Sequence, residues 1–182
     1  MKIIASLFVA LLAGVCSVQA QVYSGSGGTV SMKGVAPLET IVASSTSLEG
    51  LLDAGSKEFN FRQPLNKFAF SQGALQKQHA EENYFEVEKF SHAKFKGSIM
   101  GEANFKADGT YQVTAKGVFS LHGVDKNLKT PATVEVKGGK IKVKASFKAY
   151  LSDHDIKIPK LVAQKVSDEF EVNVELNLEP KK

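Results

Sequence analysis

The chain is poor in the residue types on which several classes of site depend. It has 182 residues with one cysteine, no tryptophan and, at Arg62, a single arginine. Cys16 lies in the N-terminal apolar segment, so the rest of the chain offers no thiol for disulfides, thiol chemistry or cysteine metal sites. Nucleic-acid surfaces combine arginines with exposed aromatics. We therefore expect no nucleic-acid partner, although the formal net charge is +4.

Catalytic and metal-binding patterns are equally scarce. The four histidines, at positions 79, 92, 122 and 154, do not have the spacings typical of zinc ligands. The Ser/Gly stretch at 24–28 matches neither a phosphate-binding loop nor a nucleophile elbow. The run Ser-Asp-His-Asp at 152–155 is interpreted as a polar loop after a strand. We predict a protein that is not an enzyme and holds no metal or cofactor.

The first 20 residues have the pattern of a cleaved signal peptide. Lys2 precedes an apolar run over residues 3–15, and small residues occupy the −3 and −1 positions of a cut after Ala20. The run is shorter than the roughly 20 residues of a membrane-spanning helix. We predict export and no integral membrane span. Residues 21–28 are predicted to be a flexible, Ser/Gly-rich lead-in, and residues 29–182 one domain.

Apolar and polar residues alternate strictly along the last third of the chain. The apolar side chains occupy odd positions in residues 141–151 and even positions in residues 170–178. Successive side chains of a strand point to opposite faces, so each segment predicts a strand with one apolar and one polar face. The polar face carries lysines in the first segment and glutamates in the second. This predicts a cross-strand ladder of opposite charges.

Weaker alternation predicts the remaining strands. One helix is predicted at 75–84, where Gln, Lys, Ala and Glu dominate, and a long connection at 152–167. About eight antiparallel strands with short turns form either a sandwich or a barrel. A closed barrel removes exposed edges and leaves room for one small ligand. The other predicted strands cover residues 29–35, 40–48, 58–62, 67–71, 93–105, 110–121 and 133–137.

Two stretches resemble the YceI-like family of exported lipid-binding proteins. Residues 75–97 have the family's His-x4-Tyr pattern at the end of a helix, followed by a Lys-aromatic-x4-Phe step into a strand. Residues 117–126 contain Leu-His-Gly-Val-Asp-Lys, similar to the family's Leu-x-Leu-His-Gly-Val-x-Lys segment. The order and spacing of the two motifs match the family, and the resemblance covers essentially the whole chain after residue 20. Ser91 replaces the proline usual in the first pattern.

The resemblance implies an all-β, antiparallel, roughly eight-stranded, lipocalin-like barrel with one short helix. It further implies that the barrel binds a polyisoprenoid or a similar amphiphilic lipid for storage or transfer, in the periplasm. The chain after residue 20 lacks some residues of the family's first strand. We therefore expect its barrel to close less completely than the barrels of the family.

The expected ligand contacts fall into two groups. A polar head group at the mouth would contact His79, Asn83 or His122, although His122 also suits a structural hydrogen bond to a turn carbonyl. The apolar tail would contact inward-facing side chains, namely Phe59, Phe61, Phe95, Ile99, Phe119, Leu121, Phe147, Leu151 and Phe170.

Two other interpretations stay open at this point. Phenylalanines could fill the barrel completely, which would favour a stress-response or interaction scaffold without a bound lipid. An enzyme using His79, His122 or His154 as acid–base groups would need convergent polar groups inside, whereas the alternation predicts apolar ones. The sequence leaves the oligomeric state open.

Overall fold

The computed structural model describes residues 21–181, so the predicted signal peptide lies outside the described residues. These residues form eight long strands, one two-residue strand and one α-helix. In chain order these are β1 (Val22–Val35), β2 (Thr40–Asp53), β3 (Glu58–Pro64), β4 (Ala69–Phe70), α1 (Ala74–Asn83), β5 (His92–Met100), β6 (Gly109–Leu121), β7 (Val124–Lys137), β8 (Lys140–Tyr150) and β9 (Glu169–Pro180).

The eight long strands close into an antiparallel barrel. Neighbours in sequence pair from β5 through β9, and β3 pairs with both β2 and β5. Strand β1 completes the circle because it pairs with β2 on one side and with β9 on the other. The two-residue β4 adds to the free part of β2. The predicted fold class, an all-β barrel with one short helix, is confirmed.

Residues 21–28 do not form the flexible lead-in that their composition suggested. Strand β1 begins at Val22, and Tyr23 is only 2% exposed. A Cβ at Gly25 would lie 2.0 Å from the Asn177 carbonyl oxygen, and one at Gly28 would lie 2.6 Å from Leu176 Cδ1. The glycines thus permit close approach of β1 to β9. The front of the barrel closes fully, contrary to the expectation.

The barrel has two different ends. The helical end carries the β1–β2 turn (36–39), the segment 65–91 with α1, the β6–β7 turn (122–123) and the connection 151–168. The far end carries the turns 54–57, 101–108 and 138–139. Packed side chains block the far end, and the Tyr23 hydroxyl donates to the Phe105 carbonyl oxygen at 3.4 Å. The blocking side chains are Tyr23, Phe105, Val136, Ile141 and Leu178, all buried.

Several predicted strands differ from their observed bounds: β1 begins at Val22 rather than at residue 29, β2 ends at Asp53 rather than at residue 48, and β7 begins at Val124 rather than at residue 133. The strand predicted at 93–105 ends at Met100, because Gly101 has a φ of +107° that breaks the extended conformation. The connection 151–168 contains two 3₁₀ turns, Ser152–His154 and Lys160–Val162. Within residues 21–181, none of the helices has the length and apolar character to cross a membrane.

The predicted charge ladder covers the outer face of β8 and β9. Strand register places the lysines of β8 beside the glutamates of β9. The ion pairs join Lys140 to Glu179 at 2.6 Å, Lys148 to Glu169 at 2.7 Å, Lys144 to Glu175 at 3.2 Å and Lys142 to Glu175 at 3.3 Å.

The ladder lowers the pKa of its glutamates. Lys144 and then Lys142 hold the pKa of Glu175 below the usual carboxyl range, and Lys148 does the same for the pKa of Glu169. A carboxyl whose pKa is lower in the folded than in the unfolded chain stabilises the fold above its unfolded pKa. That stabilisation disappears as the pH falls through the folded pKa.

Replacing Glu169, Glu175 and Glu179 together by glutamine is expected to weaken the acid dependence of stability. The wild type should lose more free energy of unfolding between neutral pH and about pH 3. The difference should be modest, because exposed ion pairs contribute little. Urea unfolding at both pH values measures the loss of unfolding free energy in each protein. Glu102→Gln, in a far-end turn, is the control. An equal acid loss in wild type and triple variant would refute a stabilising role of the ladder.

Candidate ligand cavity

An apolar cavity of about 610 Å³ occupies the barrel interior and opens at the helical end. Its wall is built by the inward-facing residues of all eight long strands. The side chains that block the far end lie beyond its floor, where Leu52, Val134 and Leu176 are buried. The volume lies within the roughly 300–1,000 Å³ typical of small-molecule sites. The barrel interior is therefore not filled by its phenylalanines.

All nine predicted tail-contacting residues lie in the cavity wall. Phe61, Phe95, Phe119 and Phe147 point inward yet are only half-buried, because they face the open space. Aromatic pairs order the wall, with Phe59 and Phe95 centroids 4.9 Å apart and Phe119 and Phe147 centroids 5.5 Å apart. Such edge and tilted contacts fix ring positions. That these residues contact a ligand stays a prediction.

Most of the few polar groups in the inner wall have protein partners, and Gln63 Oε1 is a buried exception without one among residues 21–181. The Thr130 hydroxyl donates to the Ser146 carbonyl oxygen at 2.8 Å. The Gln63 amide nitrogen donates to Ser45 Oγ at 2.8 Å and to the Pro64 carbonyl oxygen at 2.7 Å. These bonds leave few polar atoms free to bind a ligand, so the interior favours an apolar chain.

The mouth of the cavity is more polar. Helix α1 and the β1–β2 turn meet there, where the Gln76 amide nitrogen donates to Glu39 Oε1 at 3.1 Å. His79, Tyr150 and Lys165 are exposed at the same opening. Sequence reasoning missed Gln76, Tyr150 and Lys165. Gln76 and Lys165 lie in α1 and in the connection 151–168, which have no strand periodicity. Tyr150 ends β8 with the parity of the outer face, so the alternation did not assign it to the mouth.

The three predicted head-group residues separate in the structure. His79 lines the mouth. Asn83 lies on the exposed side of α1, and its amide nitrogen donates to the His79 carbonyl oxygen at 3.2 Å. His122 lies outside the cavity wall, in the β6–β7 turn. Head-group contact stays a prediction, and His79 is the member of this set placed to make it.

His122 instead links three segments of the helical end. Its Nδ1 lies 3.2 Å from the His154 carbonyl oxygen, and its Nε2 lies 3.2 Å from Glu86 Oε1. Lys89 and then His122 hold the pKa of Glu86 below the usual carboxyl range. His154 is itself buried, with Nδ1 3.0 Å from the Val124 carbonyl oxygen. Both histidines therefore join loops rather than face the cavity.

Replacing His122 by alanine is expected to destabilise the fold by about 1–2 kcal/mol, because two hydrogen bonds in a half-buried site are lost. Urea unfolding of the purified protein measures the change. Lys89→Ala, which removes the exposed partner of Glu86, should cost less than about 0.5 kcal/mol. Equal effects of the two substitutions would contradict the linking role of His122.

Comparison with protein-family models matched residues 23–178 to a YceI-like domain. A comparison with curated protein sequences found no match. The structure is similar to a polyisoprenoid-binding domain from Saccharophagus degradans implicated in plant cell wall breakdown. The TM-score is 0.72 at 16% identity, over 90% of this chain and 100% of that one.

Two further solved structures share the fold at comparably low identity. BcnA of Burkholderia cenocepacia aligns with a TM-score of 0.66 at 14% identity, over 82% of this chain and 95% of that one. A YceI protein of Campylobacter jejuni aligns with a TM-score of 0.56 at 13% identity, over 100% of this chain and 94% of that one. At such identities the likeness concerns the fold alone.

Proposed function

This chain belongs to the YceI-like domain family, and from that premise we propose that it binds one long apolar lipid of the polyisoprenoid type inside its barrel. The observation that carries the proposal is the continuous cavity, whose wall is almost entirely apolar. The similar Saccharophagus degradans domain is described as polyisoprenoid-binding. Storage or transfer of the lipid follows as the protein's role.

The energetics favour a long chain over a short one. A buried methylene contributes about 0.8 kcal/mol, so ten contribute about 8 kcal/mol. Association costs at least about 4 kcal/mol in lost translational and rotational freedom. A short acyl chain barely offsets that cost, whereas a long isoprenoid exceeds it without any charged partner for its tail. A polar head group would remain at the mouth near His79.

The two competing interpretations receive less support. A solid scaffold barrel requires a filled interior, whereas a cavity of about 610 Å³ is present. An enzyme requires acid–base groups that face the ligand. Of the three histidines considered for that role, His122 and His154 bond to loops outside the cavity wall, and His79 lies at the mouth. We therefore propose binding without catalysis.

The proposed location of the protein follows from its N-terminus. The basic start, short apolar run and small residues before position 21 are typical of a signal peptide. We propose that the protein is exported to the periplasm, where it meets membrane lipids. N-terminal sequencing of the protein from its native cells checks this, and a mature protein that begins at Met1 would contradict cleavage.

Native purification tests the binding proposal directly. Protein isolated without detergent is extracted with organic solvent, and the extract is analysed by mass spectrometry. We expect one long-chain lipid in near-equal molar amount, and uptake of an offered prenol by the delipidated protein. An extract without lipid, combined with no uptake of the prenol, would rule out the proposed function.

A further inference from the structure

The most exposed large apolar side chains of residues 21–181 share one end of the barrel. Val35, Leu38, Leu75 and Leu161 are 63%, 67%, 64% and 96% exposed, and all four lie at the helical end. The other large apolar residues at the surface are less than half exposed. Apolar side chains concentrated on one surface mark an interaction site. We call the surface formed by these four apolar residues and by Lys157, Lys160 and Lys165 the rim face.

The rim face adjoins the cavity mouth. The Leu38 backbone amide donates to the Gln164 carbonyl oxygen at 2.9 Å, which joins the β1–β2 turn to the connection that carries Leu161. The bond between Gln76 and Glu39 joins the same turn to α1. Leu75 also lines the cavity. Apolar surface thus runs from the outer rim into the interior.

The charge of the rim face suits an anionic partner. Residues 156–166 contain Lys157, Lys160 and Lys165, all exposed, and no acidic residue. Asp155 also borders this segment, so residues 155–166 hold three lysines and one aspartate. The next carboxylates along the chain have other neighbours, because Asp168 accepts from the Ser152 amide at 2.7 Å and Asp153 lies 3.9 Å from Lys126. Lysines beside exposed leucines are typical of segments that bind the interface of anionic membranes.

We propose that the rim face docks on an anionic lipid bilayer, so that the ligand passes between bilayer and cavity without crossing water. The inference rests on the proposed function, because a water-insoluble ligand needs such a route. A bilayer suits the rim face better than a folded partner does. The apolar side chains lie at the same end of the barrel as the entrance for the ligand, and the lysines beside them suit anionic head groups.

Vesicle flotation tests the docking. Wild-type protein is mixed with vesicles of phosphatidylcholine alone or with phosphatidylglycerol added. We expect binding to the anionic vesicles. Leu38→Ser combined with Leu161→Ser should lower the partition constant at least tenfold. Lys157→Gln combined with Lys160→Gln should lower it about fivefold for each lysine, with the loss confined to anionic vesicles. None of these four residues lines the cavity.

A matched control and a transfer assay separate docking from ligand binding. Met100→Ser combined with Lys106→Gln changes one apolar and one basic residue at the far end, and should behave as wild type. A fluorescent prenol offered without vesicles should bind equally to all variants. The same prenol in anionic vesicles should transfer more slowly to the rim-face variants than to the control.

The outcomes distinguish the two proposals. Equal flotation of the wild type and the double-leucine variant would overturn docking. Docking would also be overturned if the wild type did not bind vesicles but formed a dimer that the leucine substitutions dissociate. The rim face would then join two copies of this chain. Vesicle binding by a protein that takes up no prenol would refute the proposed function and leave the docking supported.

Discussion

Ala145→Phe is expected to lower the affinity for a long-chain lipid more than tenfold while the barrel stays folded. Ala145 lies midway along β8 with its side chain toward the cavity, beside Ala132 on β7 and Val174 on β9. A phenyl ring there occupies space that a chain would fill. If the ring displaces only two methylenes of the ligand, the complex loses about 1.6 kcal/mol of binding free energy, which lowers the affinity more than tenfold. Titration with a fluorescent prenol measures the loss.

The neighbouring position provides the control for this substitution. Ser146 follows on the same strand with its side chain on the outer face, so Ser146→Phe adds the same ring outside the barrel. It should leave prenol affinity unchanged. Circular dichroism and urea unfolding should show both variants folded. If Ala145→Phe binds prenol as tightly as wild type, the ligand does not occupy the cavity.

Gly97→Ala is expected to destabilise the barrel by roughly 2–4 kcal/mol, the largest stability effect predicted for a single methyl group here. Gly97 on β5 faces Gly117 on β6. A Cβ at Gly97 would lie 2.1 Å from the Lys116 carbonyl oxygen and 2.6 Å from Gly117 Cα. Both contacts involve backbone atoms, so a side-chain rotation cannot relieve them. Strands β5 and β6 would have to separate.

Gly138→Asn is the control for Gly97→Ala. Gly138 lies in the β7–β8 turn with a φ of +57°, and a Cβ added there would meet no atom of residues 21–181 within 4 Å. Asparagine tolerates this left-handed conformation better than most residues. The free energy of unfolding of the Gly138→Asn variant should stay within about 0.5 kcal/mol of the wild-type value. Equal midpoints for Gly97→Ala and wild type in urea would show that β5 and β6 can move apart without cost.

Strand periodicity made the barrel wall predictable from sequence. The alternation of β8 and β9 assigned Phe147, Leu151 and Phe170 to the inside, because side-chain direction on a strand depends only on parity. The outer ladder followed from the same parity. The width of the interior could not be predicted this way. It depends on how eight strands close on one another, which is a property of the whole sheet.

Loops and glycines account for what the sequence did not predict. The Ser/Gly composition of residues 21–28 is equally consistent with a flexible segment and with a strand that approaches its neighbour closely. The close contacts of Gly25 and Gly28 with β9 show that this segment is a strand. The polar mouth depends on where α1 and the connection 151–168 rest. Gln76 and Lys165 both line the cavity although they are far apart in sequence.

Because the far end is packed with side chains, the barrel formed by residues 21–181 is open at the helical end only. Tyr23 and Phe105 block the base, so a lipid cannot thread through from one end to the other. In the proposed binding mode the tail would enter first and leave last, so the polar end would not cross the apolar interior. A chain no longer than the cavity would be enclosed up to its head group, whereas a longer chain would protrude. The depth of the cavity would then set the length of the lipid that the protein binds.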